Sequence, residues 1–373
     1  MKKHVHALKA IGIILFLFAF TSQLISQGLP TPRPVSPAAS VSQAIGFTDI
    51  RVDYSRPNLV LRGVDRSGNI WGKQVPYGFN KTNFGSQGDI PWRAGANENT
   101  IISFSDDVKI EGKDIAAGSY GLHMALYEDG KVTVIFSTNT SSWGSYFYNE
   151  DEDALRVDVQ LEDHSKTQVL SYDFIEYGRD YTVLALAWDD KMIPFKIEVD
   201  VDDIVIEDYS DMLRGQAGFG WQPYITAANY CLQNNTHIEQ GLTWIDISIA
   251  RNQNFQNLSV KAGLLELTGK EAEANKVYEE IIPIASMAEL NNLGYRMIGQ
   301  KNYTKAIEYF ELNVKRNPKN ANCYDSLGEA YMLSGDSKNA IKNLKKSLLL
   351  DPPENVKANS TRLLGELGVE VDG

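Results

Sequence analysis

The last third of the chain repeats itself, and this repeat constrains the fold more than any other feature of the sequence. Six positions recur 34 residues later with similar side chains; the two sets are Leu290, Leu293, Gly294, Ala306, Phe310 and Pro318, and Tyr324, Leu327, Gly328, Ala340, Leu344 and Pro352. A period of this length predicts one helical hairpin per repeat, with neighbouring hairpins stacked around a continuous core. A small residue at Gly294 or Gly328 lets the first helix approach its partner closely, and the proline ends the unit.

Two less regular copies precede this pair. One centres on Ala274, and a fainter one centres on Gly241, so that the small residues of the four copies are spaced by 33, 32 and 34 positions. The period and the residue pattern resemble the tetratricopeptide repeat. We therefore predict a tetratricopeptide-like α-helical solenoid over residues 223–373; the alternative is an ordinary bundle of helical hairpins.

Residues 41–208 follow a different period. Apolar and polar residues alternate from Leu155 to Leu161 and again from Ile193 to Val201. Alternation of this kind predicts half-buried strands, and several short strands with no helical window between them predict an antiparallel β-sandwich or barrel. The chain is thus expected to be multidomain, all-β and then all-α, with a glycine-containing linker at 209–222.

Residues 1–26 combine a basic start, an apolar run from Ile11 to Phe20 and a small polar end. This pattern predicts a secretory signal peptide, because the run is about half of the roughly 20 residues that span a bilayer. The alternative is a transmembrane anchor. A proline-rich lead-in follows at 27–40. We expect an exported chain, in the periplasm or outside the cell, with no membrane span after cleavage and with Cys231 and Cys323 as free thiols.

Charge and motifs narrow the classes of function. The formal net charge is −12, and an acidic surface repels phosphate backbones, so no nucleic acid is expected as a partner. The sequence lacks a GxxxxGK loop, HExxH, CxxC and GxSxG. His123, His164 and His237 are too far apart in sequence for the usual zinc pattern. We predict no metal and no cofactor, and the sequence favours a protein without enzyme activity.

Polar and aromatic residues concentrate ahead of one predicted strand. An aromatic ring, a cation, an amide and a carboxylate occur together there, which is what a site for a sugar or small polar ligand requires. A histidine and a second tryptophan, which is expected to be exposed, occur further along the β region. The ligand-binding candidates are Trp92, Arg93, Asn97, Glu98, His123 and Trp143. The alternative is a structural clamp, in which Arg93 and Glu98 pair and Trp92 packs over the core.

Several ordered motifs of the β region resemble the family called domain of unknown function 2911. They are Pro34-Val35-Ser36-Pro37, Trp92-Arg93-Ala94-Gly95-Ala96-Asn97-Glu98, Ala117-Gly118-Ser119-Tyr120-Gly121-Leu122, and Val134-Ile135-Phe136 followed by Trp143-Gly144. The resemblance covers roughly residues 34–200. It implies an exported β domain of a kind found mainly in Bacteroidetes, forming one domain that is compatible with a helical-repeat tail, and it implies no particular reaction.

Counting along the first helices of the last two repeats predicts the residues of a concave face, which we call the inner face: Asn291, Tyr295, Ile298, Asp325, Glu329 and Met332. Its acidic residues suit a basic or apolar segment. We predict an exported, non-enzymatic interaction protein whose repeats bind a protein or peptide partner. The alternative is a module that binds carbohydrate or a small polar ligand, or a hydrolytic enzyme, with a cleft around Arg93, Glu98 and His123; Glu98 and His123 are then the candidate catalytic residues.

Overall fold

The structure is a computed structural model that describes residues 35–370. The predicted signal peptide at 1–26 and most of the predicted lead-in lie outside the described residues. The chain divides into two compact units: residues 35–43 and 49–198 form the first, and residues 44–48 and 199–370 form the second. Within the described range, no helix has both the length and the apolar character needed to cross a membrane.

The first unit is built from antiparallel strands, as the period-two pattern predicts. The strands are β1 (Ala38–Ile45), β2 (Thr48–Ser55), β3 (Val60–Leu61), β4 (Val64–Asp65), β5 (Asn80–Lys81), β6 (Asp89–Ile90), β7 (Thr100–Phe104), β8 (Val108–Ile110), β9 (Lys113–Ile115), β10 (Gly118–Leu126), β11 (Lys131–Ser137), β12 (Asp153–Gln160), β13 (Glu162–Tyr177) and β14 (Tyr181–Glu198). One sheet has the order β1-β2-β7-β10-β11-β12 and a second has the order β13-β14-β8-β9. Both sheets are open, so the unit is not a closed barrel.

Aromatic side chains join the two large sheets. The rings of Phe136 on β11 and Phe195 on β14 are fully buried, with centroids 6.1 Å apart. The rings of Tyr54 on β2 and Tyr172 on β13 make a second edge contact at 4.8 Å. Such rings bury large apolar areas and prefer edge-to-face contact. The sheets therefore share one core through their inner side chains, which is the arrangement of a sandwich.

The boundary between the units differs from the predicted one. We predicted strands up to residue 208 and a linker at 209–222, but the last strand ends at Glu198 and helix α1 (Val201–Arg214) begins three residues later. The buried residues of α1, Val201, Val205, Ile206 and Leu213, follow a helical period. Acidic residues in its first turn also stabilise the helix, because they interact favourably with the positive end of the helix dipole. Most of the predicted linker is therefore helical.

The second unit is a series of helical hairpins, which confirms the predicted solenoid. After α1 come α2 (Gln222–Asn234), α3 (Ile238–Arg251), α4 (Phe255–Leu267), α5 (Glu271–Ile284), α6 (Met287–Gly299), α7 (Tyr303–Arg316), α8 (Ala321–Leu333), α9 (Ser337–Leu348) and α10 (Glu354–Glu366). Three residues join the two helices in each of the pairs α2/α3, α4/α5, α6/α7 and α8/α9. The four predicted repeats are therefore four hairpins, and α10 follows the last one.

Close approach of the paired helices depends on small residues, as predicted. A Cβ atom added to Gly294 on α6 would lie 2.4 Å from the Phe310 ring on α7, and one added to Gly328 would lie 2.6 Å from Leu344. Phe310 is fully buried in a core that runs from the second hairpin into the fourth. The repeat spacing thus places Gly294 opposite the Phe310 ring and Gly328 opposite the Leu344 side chain, where a larger residue would not fit.

Both cysteines are free thiols. Cys231 lies on α2 and Cys323 on α8, and both are buried. Burial raises the pKa of each thiol to about 11. Both side chains thus remain protonated near neutral pH and act as small apolar groups.

Candidate functional site

Two of the predicted inner-face residues, Tyr295 and Glu329, are partly accessible and contact each other. Tyr295 on α6 is 37% exposed, and its hydroxyl donates to the Glu329 carboxylate on α8 at 2.9 Å. The Ser326 Oγ atom lies 3.2 Å from the same hydroxyl oxygen. The Tyr295 ring also packs edge-on against Phe310, which fixes its orientation. The structure therefore brings Tyr295 and Glu329 together in a single defined geometry.

Asp325 is not available on the inner face, contrary to the prediction. It is only 4% exposed, and its carboxylate accepts hydrogen bonds from the side chains of Asn359 and Ser360 on α10. Burial raises the pKa of this carboxyl group, whereas the two hydrogen bonds lower it. The reason is the final helix, which occupies the position that a following repeat would take. The inner face of the fourth hairpin is thus partly covered by the chain itself.

The remaining predicted residues of the inner face are half-buried. Ile298 packs against the central helical core, and Met332 packs against the cluster around Leu344. The Asn291 Oδ1 atom is buried and has no hydrogen-bond partner among the described residues. Tyr295 and Glu329 are therefore the inner-face residues best placed to meet a partner.

Hydrogen bonds with 34-residue spacing connect successive repeats of the helical unit, and the last repeat with α10. Gln300 donates to Glu266, Tyr295 donates to Glu329, and Asn359 donates to Asp325. Each bond joins two residues that are equivalent by the sequence repeat, because the structural repeat has the same period. These bonds fix the orientation of polar side chains between neighbouring repeats.

In the first unit, the predicted loop forms a clamp around Arg93. The Arg93 Nη1 atom donates to the Asn97 carbonyl at 2.6 Å, and the guanidinium carbon lies 4.6 Å from the centroid of the Tyr146 ring. Ala94 and Asn97 adopt left-handed backbone conformations, which are strained for alanine but tolerated by asparagine. The Ala94 carbonyl accepts hydrogen bonds from both Tyr172 and Thr100. These contacts hold the loop in its strained conformation.

His123 lies beneath this loop and is shielded from solvent. It is 3% exposed, and its Nδ1 atom lies 2.9 Å from the Oγ atom of Ser145, which is also buried. Burial, and then the nearby positive charge of Arg93, lower the His123 pKa to about 4. The ring is therefore neutral at physiological pH, and its burial separates it from bulk water.

Asn99 is a member of this cluster that the sequence analysis did not single out. It is 7% exposed; its amide donates to the Asn139 carbonyl, and its Oδ1 atom has no partner among the described residues. A Cβ atom on Gly121 would lie 3.3 Å from both the Asn99 amide nitrogen and the His123 Nε2 atom. Glycine at 121 thus allows these polar groups to converge. Its position in the sequence could have indicated it, because Asn99 directly follows Glu98 in the loop motif.

The other candidates of the β unit differ from His123 in packing and exposure. The Trp92 ring packs with Trp71 at 6.0 Å and Trp188 at 6.5 Å in a separate aromatic cluster. Trp143 is 49% exposed, whereas Glu98 is half-buried. Within residues 35–370, no three His, Cys, Asp or Glu side chains are grouped so as to hold a metal ion. The contacts of Arg93 with Asn97 and Tyr146 indicate a structural role for the loop, through partners other than the Glu98 carboxylate of the predicted clamp.

If Arg93 holds the loop in place, replacing it should lower the unfolding free energy of the β unit. In Arg93→Lys the charge stays but the planar fork is lost, so both the hydrogen bond to Asn97 and the contact with Tyr146 weaken. We expect the β unit to lose ~1–2 kcal/mol of unfolding free energy. Hydrogen exchange of the β10 and β11 amides measures this loss locally. The exposed Arg62→Lys is the matched control, and equal protection in both variants would contradict the clamp.

The fold and the candidate sites together define the class of the protein: an antiparallel β domain followed by stacked helical hairpins. Residues 36–197 match the family model described as "Protein of unknown function (DUF2911)", and residues 321–354 match the model of a tetratricopeptide repeat. The β unit thus matches the DUF2911 model and the last hairpin matches a tetratricopeptide repeat, which confirms the resemblance found in the motifs.

Characterised relatives match only short segments. Cellulose synthase operon protein C of Escherichia coli (strain K12) is 45% identical over 58 residues, which are 15% of this chain and 5% of that protein. Superkiller protein 3 of Schizosaccharomyces pombe is 36% identical over 63 residues, or 17% of this chain and 4% of that protein. The chain therefore spans at most 5% of the length of these relatives.

Among solved structures, similarity is likewise confined to part of the chain. MamA from Desulfovibrio magneticus is 20% identical, with a TM-score of 0.28, and the alignment covers 41% of this chain and 92% of that one. YrrB, described as a TPR protein with an unusual peptide-binding site, is 15% identical, with a TM-score of 0.29, and the alignment covers 43% of this chain and 84% of that one.

Proposed function

We propose that the chain is an exported, non-enzymatic interaction protein that joins a DUF2911 domain to a helical-repeat scaffold, and that the scaffold binds a protein or peptide partner. The observation that carries this proposal is the hydrogen bond from Tyr295 on α6 to Glu329 on α8. It holds a partly exposed aromatic ring and a carboxylate in fixed positions on the inner face, and a preformed surface loses less conformational entropy on binding than a mobile one.

The chemistry of the inner face favours a basic or apolar segment as its ligand. Glu329 presents an anionic side chain whose orientation is set by Tyr295, and the Tyr295 ring adds partly exposed aromatic surface. Tyrosine is well suited to this role because it combines apolar area with a hydroxyl group and has few rotatable bonds. Because Asp325 is covered by α10, the proposed contact surface centres on α6 and the exposed side of α8.

Export is proposed from the signal-like pattern of residues 1–26, and a periplasmic or extracellular partner follows from it. The absence of enzyme activity is supported by the cluster that contained the candidate catalytic residues. His123 is buried against Ser145, and Arg93 is engaged by Asn97 and Tyr146. A general base must reach the proton it abstracts, and this ring faces the protein interior.

Charge reversal at Glu329 tests the proposed surface. The probe is a fluorescent peptide of alternating lysine and leucine residues, with affinity measured by anisotropy on the full mature chain. In Glu329→Lys we expect affinity to fall about tenfold, or ~1.4 kcal/mol, because a fixed anion becomes a cation and the hydrogen bond from Tyr295 is lost.

The matched control is Glu308→Lys, which makes the same charge change at an exposed position on α7, the second helix of the third hairpin. It is expected to bind the peptide nearly as well as the wild type. Equal losses in the two variants would show attraction by net charge alone and would refute a specific inner-face site.

A further inference from the structure

A cleft of about 450 Å³ lies between the second hairpin, α4/α5, and the third hairpin, α6/α7. Its volume is within the range of small-molecule sites in proteins. The apolar part of its lining comes from Ala274, Tyr278 and Met297, which are all nearly fully buried. The rest of the lining is polar, so the cleft offers an apolar floor beneath a polar rim.

One wall of the cleft has its charge already compensated. The Glu266 Oε1 atom accepts from the Tyr278 hydroxyl at 2.8 Å, and its Oε2 atom accepts from Arg296 at 2.8 Å and from Gln300 at 3.1 Å. The Arg296 guanidinium also lies over the Tyr278 ring. With three donors and an ion pair, the Glu266 carboxylate has little capacity left for a ligand.

The rim carries two further charges of opposite sign. Glu271 is the first residue of α5, and Lys305 reaches from α7 to donate to Asn275, one helical turn beyond Glu271. In the part of the chain that the structure describes, neither Glu271 nor Lys305 forms an ion pair, with each other or with a third residue. An anion and a cation therefore line the same cleft without forming an ion pair with each other.

We infer that this cleft binds a zwitterion with an apolar side chain, either an α-amino acid or a short peptide, whose ammonium group pairs with Glu271 and whose carboxylate pairs with Lys305. A ligand with both charges compensates both side chains, whereas a singly charged ligand leaves one uncompensated. The Asn302 Oδ1 atom caps α7, and the Asn302 amide hydrogens, which have no acceptor among residues 35–370, can donate to the carboxylate. The apolar side chain then lies on the floor of the cleft.

This site goes beyond the proposed function, because it takes a small ligand at a place distinct from the Tyr295–Glu329 pair. A charge-capping series tests it by calorimetry on the full mature chain, with leucine, N-acetyl-leucine, leucinamide and leucyl-leucine as probes. We expect leucine or leucyl-leucine to bind at least tenfold more tightly than N-acetyl-leucine and leucinamide. If leucine binds more tightly than leucyl-leucine, the ligand is an amino acid; if leucyl-leucine binds more tightly, it is a short peptide. Equal affinities, or no binding of any probe, would overturn the proposal.

Two variants assign the charges to their residues. Glu271→Gln should remove the preference for leucine over N-acetyl-leucine but keep the preference over leucinamide. Lys305→Gln should do the reverse. Glu273→Gln and Lys315→Gln change exposed residues of the same two helices and should alter neither preference. If the two rim variants weaken all probes alike, the assignment is wrong. Because Glu329 does not line the cleft, this result is independent of the peptide-binding test on the inner face.

Discussion

Acidification from pH 7 to pH 4 is expected to remove about 3 kcal/mol of stability from the β unit through His123 alone. The folded chain keeps the ring neutral, with its pKa lowered to about 4 by burial and by the Arg93 charge, whereas the unfolded chain has the ordinary value of 6.5. Each pKa unit corresponds to ~1.36 kcal/mol, so the gap amounts to about 3 kcal/mol. Because the folded pKa is depressed, this stabilisation is complete above pH 6.5 and is lost as the pH falls to about 4.

Two measurements check this expectation. The ring signals of His123 in an NMR titration should not shift between pH 8 and pH 5, and hydrogen-exchange protection of β10 and β11 should fall as the pH drops from 6.5 to 4. The control is His123→Gln, which cannot titrate; it should be less stable at pH 7 but should lose less stability on acidification. A His123 titration midpoint between pH 6 and pH 7 would show that the ring is accessible to water.

Both halves of the fold were predictable because their patterns are local. Alternation from Leu155 to Leu161 requires only neighbouring residues, and β12 forms there. The 34-residue offset from Gly294 to Gly328 likewise reports a local hairpin geometry, and both glycines meet a buried side chain of the partner helix. In each case, the physical constraint acts within one element or between two adjacent elements.

The first helix was missed because its start satisfies two periods. Val199 and Val201 extend the alternation of β14, yet Val201 also begins the buried stripe of α1 with Val205. The sequence near the junction fits either conformation, and the helix is favoured because Ile206 and Leu213, further along α1, join the core of the helical unit. Tertiary contacts of this kind override a short local pattern.

The candidate sites show the same limit. Counting along a helix placed Asp325 on the inner face, but it did not reveal that Asn359 and Ser360 on α10 would cover it. In the β unit, the loop motif identified Arg93, whereas its contact with Tyr146 joins residues more than fifty positions apart. Contacts between distant segments depend on the register of whole elements, which residue patterns alone leave undetermined.

Replacing Gly294, the glycine of the third hairpin that recurs at Gly328, should strongly destabilise the helical unit. In an exposed helix, glycine to alanine usually adds up to ~1 kcal/mol of stability. At Gly294 the new methyl group would lie 2.4–2.8 Å from three atoms of the Phe310 ring, which is fully buried and has no room to move. We therefore expect Gly294→Ala to cost ~1–3 kcal/mol, because the helices must separate or the ring must leave its rotamer.

The same helix supplies the control, since a Cβ atom on Gly299 would meet no atom within 4 Å. Gly299→Ala should leave the unit as stable as before or slightly more stable, as measured by denaturant unfolding followed by helical circular dichroism. Phe310→Leu shortens the facing side chain, so the double variant Gly294→Ala/Phe310→Leu should lose less stability than the sum of the two single variants. Strict additivity would mean that the methyl group does not contact the ring, and that Gly294 is not what sets the distance between α6 and α7.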